Sequence, residues 1–153
     1  MQNDLLRTVD EGHEAFLILL DFSAAFDTID HAILLHRLST RFGFTGTVLS
    51  LLRSYLQNRT LFINIDNISS SPYTVEHGIP QGSVLGPVLF CLYISPLEDI
   101  ITSHGLSAMS YADDTQLYTV IRKQQQDNAR AVIENCIQDI KNWCKTNKLV
   151  LNA

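Results

Sequence analysis

The chain has 153 residues, of which 46% are hydrophobic and 18% are charged, and these values are typical of a folded globular protein and exclude a disordered one. This length is that of one domain, large enough for a single hydrophobic core. The formal net charge of −5 has the wrong sign for a protein that holds nucleic acid through its phosphates. Composition alone therefore gives no reason to expect a nucleic-acid-binding protein.

Neither a secretory signal nor a membrane span is predicted from the sequence. The start of the chain carries acidic residues where a signal peptide needs a basic and then an apolar segment. The longest apolar stretch, Val84 to Ile94, is too short to cross a bilayer and contains Gly86 and Pro87. The three cysteines, odd in number and without CxxC spacing, are Cys91, Cys136 and Cys144. We expect an intracellular protein, nuclear or cytoplasmic, with reduced and buried thiols.

The first predicted elements are one strand and two helices. Ala15 to Phe22 is continuously apolar except for an aspartate near its end, which predicts a buried central strand. Asp30 is the predicted N-cap of a helix that runs through Arg41, because leucines follow it at helical spacing. A second helix is predicted from Thr47 to Gln57, capped by Thr45 or by Thr47 itself.

The middle of the chain predicts two short strands and a helix. The strands are Leu61–Asp66 and Tyr73–His77, separated by a turn at Ser69–Pro72. From Ser83 to Tyr93 the apolar residues recur at helical rather than alternating spacing, which predicts a buried helix.

The last third predicts a strand pair, a long helix and a final strand. The pair is Leu106 to Ala112 and Gln116 to Ile121, with Asp113–Asp114 between them as the tip of a hairpin. Asp127 to Thr146 has the spacing of an amphipathic helix, and Leu149–Leu151 begins another strand. Strands and helices mixed in this way predict an α+β fold with a largely antiparallel sheet.

Aspartates interrupt the apolar pattern at two places, Asp21 and Asp113–Asp114. Taken singly, an aspartate at a strand end or turn is more often a local cap than a site. Taken together, carboxylates from neighbouring strand ends can converge, and like charges held close are costly unless cations lie between them. Oxygen ligands of this kind suit Mg²⁺. Two such ions can activate an attacking hydroxyl and stabilise a leaving oxygen in phosphoryl transfer.

The other acidic residues have simpler interpretations. Asp27 and Asp30 lie at a predicted helix start, where the helix dipole favours negative charge. Glu98–Asp99 and Asp127 are similarly interpreted as charges at helix ends. The histidines show no zinc-like spacing with the cysteines.

Three segments resemble, in order, the palm motifs A, B and C of reverse transcriptases. They are Leu19–His31 (LLDFSAAFDTIDH), Gly78–Phe90 (GIPQGSVLGPVLF) and Tyr111–Asp114 (YADD). Downstream, Trp143–Asn152 (WCKTNKLVLN) resembles the start of the motif D region. The SAAFDTIDH ending and the alanine of YADD are similar to the enzymes of non-LTR (LINE-type) retrotransposons. The resemblance covers essentially the whole chain.

The resemblance implies a polymerase palm-like antiparallel sheet packed on helices, with incomplete fingers and no thumb, so that residues 1–153 form a partial reverse transcriptase domain. The implied activity is RNA-directed DNA polymerisation. The implied cofactor is two Mg²⁺ ions, with Mn²⁺ as a possible substitute. The implied partners are an RNA template, a DNA primer and a dNTP, and no membrane.

The resemblance also assigns roles to single residues. Asp21 and Asp113 match the principal metal ligands, and Asp114 is the adjacent, less directly engaged carboxylate. Phe26 matches the bulky residue that excludes a ribose 2′-hydroxyl, with an ordinary core aromatic as the alternative. Four further residues match positions at the nucleotide, template or primer end: Phe22, Gln81, Gly82 and Tyr111. A buried strand tyrosine is the alternative interpretation of Tyr111.

The resemblance leaves the activity of the chain open. The motif D lysine expected shortly after Asn152 is absent, as are the primer grip and thumb, so a fragment of a retrotransposon enzyme is expected. A non-catalytic remnant that only folds or binds is one alternative. An unrelated Mg²⁺-dependent nuclease or phosphotransferase that uses the same carboxylates is the other.

Overall fold

The structure, a computed structural model, describes residues 14–111, 114–121 and 126–152. The chain divides into two units. We call Met1–Ser23 together with Ile94–Ala153 the sheet unit, and Ala24–Tyr93 the helix–hairpin unit.

The elements follow one another along the chain as an α+β mixture. The strands are β1 (Glu14–Leu20), β2 (Phe22–Ser23), β3 (Arg59–Leu61), β4 (Asn64–Ile65), β5 (Ile68–Ser69), β6 (Tyr73–Val75), β7 (Ser107–Tyr111), β8 (Asp114–Ile121) and β9 (Val150–Leu151). The helices are α1 (His31–Thr40), α2 (Gly46–Leu56), α3 (Gly86–Ile94), α4 (Pro96–Ser103) and α5 (Gln126–Thr146). Every strand pairing between them is antiparallel, as the sequence predicts.

The sheet unit is built on a three-stranded sheet in the order β1-β8-β7. Side chains alternate between the two faces of a strand. On one face Leu20, Thr115 and Leu117 are buried, at 5%, 1% and 1% exposure. On the other face Leu17 and Leu19 are exposed, at 50% and 68%. We call this second face the open face.

The prediction of a buried central strand at Ala15 to Phe22 is wrong for the part of the chain that the structure describes. There, β1 lies at the edge of its sheet and pairs with β8 alone. A continuous apolar run predicts burial on both faces of a strand. Here the residues of one face are buried, and the apolar residues Leu17 and Leu19 of the other face are exposed.

Two helices complete the sheet unit. Helix α5 packs against α4 and β9, and α4 packs against β7. The apolar stripe of α5 is buried at helical spacing, through Ile133, Cys136, Ile140 and Cys144. Helix α4 is not predicted as a separate helix from the sequence. Pro96 stands in its first turn, a position that proline favours because the missing amide hydrogen needs no partner there.

In the helix–hairpin unit, α1 begins as predicted. The carboxylate of Asp30 accepts hydrogen bonds from the backbone amides of Ala32 and Ile33, at 2.9 and 3.0 Å. These bonds satisfy two of the amides that a helix start leaves without partners. Thr45 occupies the N-cap position of α2, one of the two predicted caps, although its side chain makes no capping hydrogen bond.

Helix α3 is shorter and less buried than predicted. It starts at Gly86 rather than Ser83, because residues 80–86 form turns in which Ser83 N donates to Pro80 O and Gly86 N to Ser83 O, each at 3.2 Å. One stripe of α3 is buried, through Leu89, Phe90, Tyr93 and Ile94. The opposite side is exposed, with Val88 at 55%.

Helix α1 is joined to α3 by Arg37. Its guanidinium lies 5.0 Å from the centre of the Tyr93 ring and donates a hydrogen bond to the Tyr93 carbonyl oxygen. A guanidinium over an aromatic face is attracted by the ring's negative surface. Burial lowers the pKa of Arg37 and raises that of Tyr93.

The segment between α2 and α3 contains two nested hairpins. Strands β3 and β6 pair with each other, and β4 and β5 pair inside them. The predicted turn at Ser69–Pro72 is wrong, because the chain reverses at Asp66 and Asn67, whose φ angles are +49° and +64°. Two positive φ angles make the tight turn whose twist suits a hairpin, and Asp and Asn tolerate them.

None of the described helices has the length and apolar content of a membrane span.

Candidate functional site

Asp21 lies where the chain changes partners. Strand β1 ends at Leu20, which pairs with Thr115 of β8, and β2 begins at Phe22, which pairs with Leu151 of β9. Asp21 stands between these two pairings with its side chain exposed. The aspartate that interrupts the apolar run therefore lies where the chain stops pairing with β8 and begins to pair with β9.

Asp114 is the first residue of β8 rather than part of the predicted hairpin tip. It pairs with Tyr111 of β7, and its side chain is exposed. Thr115, the next residue, is buried on the opposite face. Asp21 directly follows Leu20, and Asp114 directly precedes Thr115, the residue that pairs with Leu20. Both carboxylates thus stand at one end of two neighbouring antiparallel strands.

The third predicted carboxylate, Asp113, lies outside the described residues, as does the side chain of Tyr111. In the described ranges, no three His, Cys, Asp or Glu side chains converge as a metal site. Two exposed carboxylates at one strand end are nevertheless the hard oxygen donors that Mg²⁺ prefers, and Mg²⁺ is commonly held through one or two of them. The donor set therefore fits the ion that the sequence predicts.

Asp21 also has polar neighbours that the sequence analysis does not single out. The side-chain amide of Asn152 donates a hydrogen bond to Asp21 Oδ2 at 2.7 Å. The Ser23 hydroxyl donates to the Oδ1 of the same asparagine. Asn152 belongs to the segment that resembles motif D, but neither spacing nor composition distinguishes it from an ordinary polar residue.

Phe26 is placed by a tight turn that follows β2. The carbonyl oxygen of Ala24 accepts hydrogen bonds from the amides of Asp27 and Thr28, at 2.9 and 3.2 Å. Ala24 has a φ of +46°, which is uncommon for a residue with a side chain. The chain therefore reverses sharply before α1 begins.

Three hydrogen bonds join this turn to a segment about fifty residues away. Gly78 N donates to Ile29 O and Ile79 N to Phe26 O, each at 2.8 Å. The ring Nε2 of His31 donates to Gly78 O at 2.7 Å, which sets the tautomer of this buried histidine. We call residues 24–31 together with 77–82 the stitched turn. The segments that resemble motifs A and B meet in it.

Gly78 has no room for a side chain. Its φ is +82°, and a Cβ atom built there would lie 2.9 Å from the carbonyl oxygen of Asp27. Glycine alone combines this backbone conformation with such a close approach. The glycine of GIPQG is thus needed for the two segments to touch.

A cleft of about 460 Å³ opens beside the stitched turn, a size typical of small-molecule sites. Its lining residues are Phe26, Pro80, Gln81, Gly82, Ser83, Gly86 and Pro87. Phe26 is half-buried, and its ring centre lies 5.1 Å from that of Phe90. The Phe26 ring therefore packs in the core and also lines the cleft. The two interpretations from the sequence, a core aromatic and a residue beside the nucleotide, do not exclude each other. Gly82 has a φ of +75° and faces open space.

Gln81 is held by Asp27. Its side-chain amide donates to both carboxylate oxygens of Asp27, at 3.2 Å each. Asp27 is predicted from the sequence to be a helix-start charge, whereas the residue that caps α1 is Asp30. The contact with Gln81 gives Asp27 a second role that its sequence position does not reveal.

Phe22, the remaining candidate, is 4% exposed. Its ring belongs to the core of the sheet unit. A contact with a nucleotide at this residue would have to use the backbone rather than the ring.

Comparison with known proteins decides the family. The model of the family described as reverse transcriptase (RNA-dependent DNA polymerase) matches residues 3–153. The chain belongs to this family. The chain is similar to the RNA-directed DNA polymerase from mobile element jockey of Drosophila melanogaster, with 27% identity over 157 residues. It is also 27% identical, over 151 residues, to the probable RNA-directed DNA polymerase from transposon X-element of the same species. The resemblance to retrotransposon reverse transcriptases is confirmed.

The share of each protein that is matched differs greatly. The alignment covers 99% of this chain but 17% of the jockey polymerase, and 97% of this chain but 16% of the X-element polymerase. Among solved structures, an apo telomerase chain from Candida tropicalis aligns with a TM-score of 0.68 and 14% identity. That alignment covers 99% of this chain and 29% of the telomerase chain. At this identity the likeness shows a shared fold.

Proposed function

We propose that this chain is the palm portion of an RNA-directed DNA polymerase of a non-LTR retrotransposon. In the proposed reaction, a primer 3′-hydroxyl attacks the α-phosphate of a dNTP and pyrophosphate leaves. The observation that carries the proposal is the pair of exposed carboxylates, Asp21 and Asp114, at one end of two paired strands in a chain of this family.

Asp21, Asp113 and Asp114 are the proposed ligands of two Mg²⁺ ions, which Mn²⁺ can replace. Neighbouring strands lie about 5 Å apart, so carboxylates at the same strand end repel one another unless cations lie between them. When bound, the ions supply charge neutralisation and help to activate the attacking hydroxyl. The protein contributes the pairing of β1 with β8, and Asp21 and Asp114 lie at the adjoining ends of these two strands.

The cleft beside the stitched turn is the proposed place for nucleotide recognition within the helix–hairpin unit. Phe26 would close the ribose side and exclude a 2′-hydroxyl. Gln81, oriented by Asp27, would contact the incoming nucleotide or the template. Gly82 would let the backbone approach a ligand closely, because no Cβ atom intervenes. Tyr111, in the YADD segment, is the proposed contact at the primer end, and the backbone of Phe22 is the proposed contact at the nucleotide.

Binding of the RNA template and DNA primer needs a positive surface that these residues lack. The net charge of −5 opposes binding to phosphates. We propose that this chain folds but does not extend a primer alone, and that the rest of a complete polymerase supplies the basic contacts.

We also propose an intracellular setting, because all three cysteines are free.

The test is primer extension on an RNA template, with Mg²⁺ and then with Mn²⁺. Two proteins are compared: the 153-residue chain, and the jockey polymerase in which residues 3–153 replace the matching region. We expect extension from the second protein only. Asp21→Asn and Asp114→Asn should each reduce its rate more than about 100-fold, since even residues behind metal ligands contribute 10–100-fold.

Asp66→Asn is the matched control, because Asp66 is an exposed aspartate in a hairpin turn of the other unit. It should leave extension unchanged. Extension that survives Asp21→Asn and Asp114→Asn would contradict the proposed roles of these carboxylates. Absence of extension from a folded hybrid protein would favour a non-catalytic remnant, and strand cleavage without synthesis would favour a nuclease.

A further inference from the structure

We infer that Asn152 is a positioning residue that holds the Asp21 carboxylate in the orientation needed to bind a divalent cation. Asn152 touches no reacting group in this arrangement and acts through Asp21. The inference rests on the proposed function, because it treats Asp21 as a metal ligand.

The backbone first brings Asn152 to Asp21. Strands β2 and β9 pair through Phe22 with Leu151 and Ser23 with Val150. The amide of Asn152 then donates to the Asp21 carbonyl oxygen at 2.9 Å, which extends the ladder by one residue. Asn152 is therefore placed opposite Asp21 by main-chain hydrogen bonds that do not depend on its own side chain.

The side chain of Asn152 adds a directional contact. Its Nδ2 donates to Asp21 Oδ2 at 2.7 Å. A hydrogen bond to an ionised carboxylate is shorter and stronger than one between neutral groups. The bond engages one oxygen of Asp21, and a carboxylate has a second oxygen with which to bind a cation.

The Asp21 carboxylate, which can only accept, requires the nitrogen of the Asn152 amide to face it, and Ser23 then binds the amide oxygen. The Ser23 hydroxyl donates to Oδ1 of Asn152, and the oxygen of the amide faces Ser23 while the nitrogen faces Asp21. The two ends of an asparagine amide are otherwise almost equal in shape, and only the hydrogen-bond partners distinguish them. Ser23, Asn152 and Asp21 thus form a chain of two hydrogen bonds that ends on the carboxylate.

Asp21 needs such support because of where it lies. It stands between the last pair of the β1–β8 ladder and the first pair of the β2–β9 ladder, and its side chain is exposed. An exposed side chain loses rotamer freedom when it binds a ligand, and this loss weakens binding. A neutral amide can orient the carboxylate beforehand without placing a positive charge where a cation must bind.

The test measures Mn²⁺ binding to the 153-residue chain from the paramagnetic resonance signal of free Mn²⁺. The variants are Asn152→Ala, Asp21→Asn and the two combined, with Asn142→Ala as control because Asn142 is an exposed asparagine of α5. Asn152→Ala should weaken binding about tenfold, as substitutions behind metal ligands do. Asn142→Ala should not. In the Asp21→Asn background, Asn152→Ala should have no further effect, because it acts through the missing carboxylate.

Ser23→Ala is the milder second variant, and it should weaken Mn²⁺ binding less than Asn152→Ala does. Thermal unfolding in EDTA separates positioning from stability, since the Asn152→Ala and Asn142→Ala proteins should unfold at similar temperatures. In the hybrid polymerase, Asn152→Ala should lower kcat while the KM for dNTP stays nearly constant.

The outcomes distinguish the inference from the proposed function. If Asp21→Asn weakens Mn²⁺ binding but Asn152→Ala and Ser23→Ala do not, the inference alone is overturned. It is also overturned if Asn152→Ala weakens binding equally with and without Asp21. If Asp21→Asn binds Mn²⁺ as well as the unaltered chain does, the proposed metal site fails and the inference fails with it.

Discussion

The β1–β8 strand pair and the stitched turn place functional residues by different means. Asp21 and Asp114 stand at the end of an antiparallel ladder whose one face is buried and whose other face is open. Phe26 and Gln81 stand instead on irregular backbone, held by hydrogen bonds across about fifty residues and by a glycine with no room for a side chain. Regular strand pairing fixes the positions of the residues in the first region, and close backbone contact fixes them in the second.

The largest expected effect tests the two faces of β1. Leu20 and Leu19 are neighbours of the same type, at 5% and 68% exposure. Leu20→Ala should lower the free energy of unfolding by about 2–5 kcal/mol, because it removes buried methyl groups and leaves a cavity. Urea denaturation monitored by circular dichroism gives the value.

Leu19→Ala is the control for that substitution. Both substitutions lose the same intrinsic strand preference, so the difference between their free energies of unfolding reports the burial of the side chain. Leu19→Ala should cost about 0.5 kcal/mol or less, as is usual at an exposed position. Equal losses from the two variants would mean that the open face is covered in solution.

The second prediction tests the stitched turn. Gly78→Ala should lower the free energy of unfolding by about 3 kcal/mol. Part of this comes from forcing a side chain into a left-handed backbone conformation, at about 1–2 kcal/mol. The rest comes from the contact between the new Cβ atom and the Asp27 carbonyl oxygen, which would be 2.9 Å.

Gly43→Ala separates these two contributions. Gly43 has a φ of +69°, but a Cβ atom there meets nothing within 4 Å. Its substitution should therefore cost only the backbone strain, about 1–2 kcal/mol. If Gly78→Ala costs no more than Gly43→Ala, the close approach at Asp27 does not hold the stitched turn together.

The third prediction returns to the sheet unit, at the end of α5. Burial raises the pKa of the Cys144 thiol to about 11, from an ordinary value of 9.0. The folded state therefore keeps the proton more tightly than the unfolded state does. The stability that this provides is complete below pH 9 and is lost as the pH rises through about 11.

Urea denaturation at pH 8 and pH 10.5 tests this, with Cys144→Ala as the reference for all other titrating groups. The unaltered chain should lose about 2 kcal/mol more than Cys144→Ala between these pH values, since one pKa unit corresponds to about 1.4 kcal/mol. Parallel pH profiles for the two proteins would show that the thiol is not protected by burial. Iodoacetamide should label the exposed Cys91 before Cys144.

The two regions also differ in how far their sequences predict them. The helices α1, α2 and α5 and the strands β7 to β9 follow from local periodicity and capping, because each pattern is contained within one element. The edge position of β1 could not be predicted, since an apolar run does not say which neighbours cover it. The hairpin turn lies at Asp66 and Asn67 rather than at the predicted Ser69–Pro72, because Ser and Pro are also common in turns.

The site residues also differ in how far the sequence predicts them. The carboxylates Asp21 and Asp114 are conspicuous because they interrupt apolar segments, and their shared strand end follows once the strands are paired. The contacts of Asn152 with Asp21 and of Asp27 with Gln81 join residues 131 and 54 positions apart. No local pattern encodes such contacts, so only the tertiary structure reveals them.

The last prediction concerns Phe26, which lines the cleft beside the stitched turn. In the hybrid polymerase, Phe26→Val should raise the ratio of kcat/KM for rNTP to that for dNTP by about 10–100-fold, because a smaller side chain leaves room for a 2′-hydroxyl. Phe42→Val is the control, since Phe42 is a half-buried phenylalanine of the same unit that does not line the cleft. Both variants lose packing, so an effect of stability alone would lower both sugars' rates and leave their ratio unchanged. A ratio that stays constant in Phe26→Val while polymerisation continues would restrict Phe26 to its contact with Phe90.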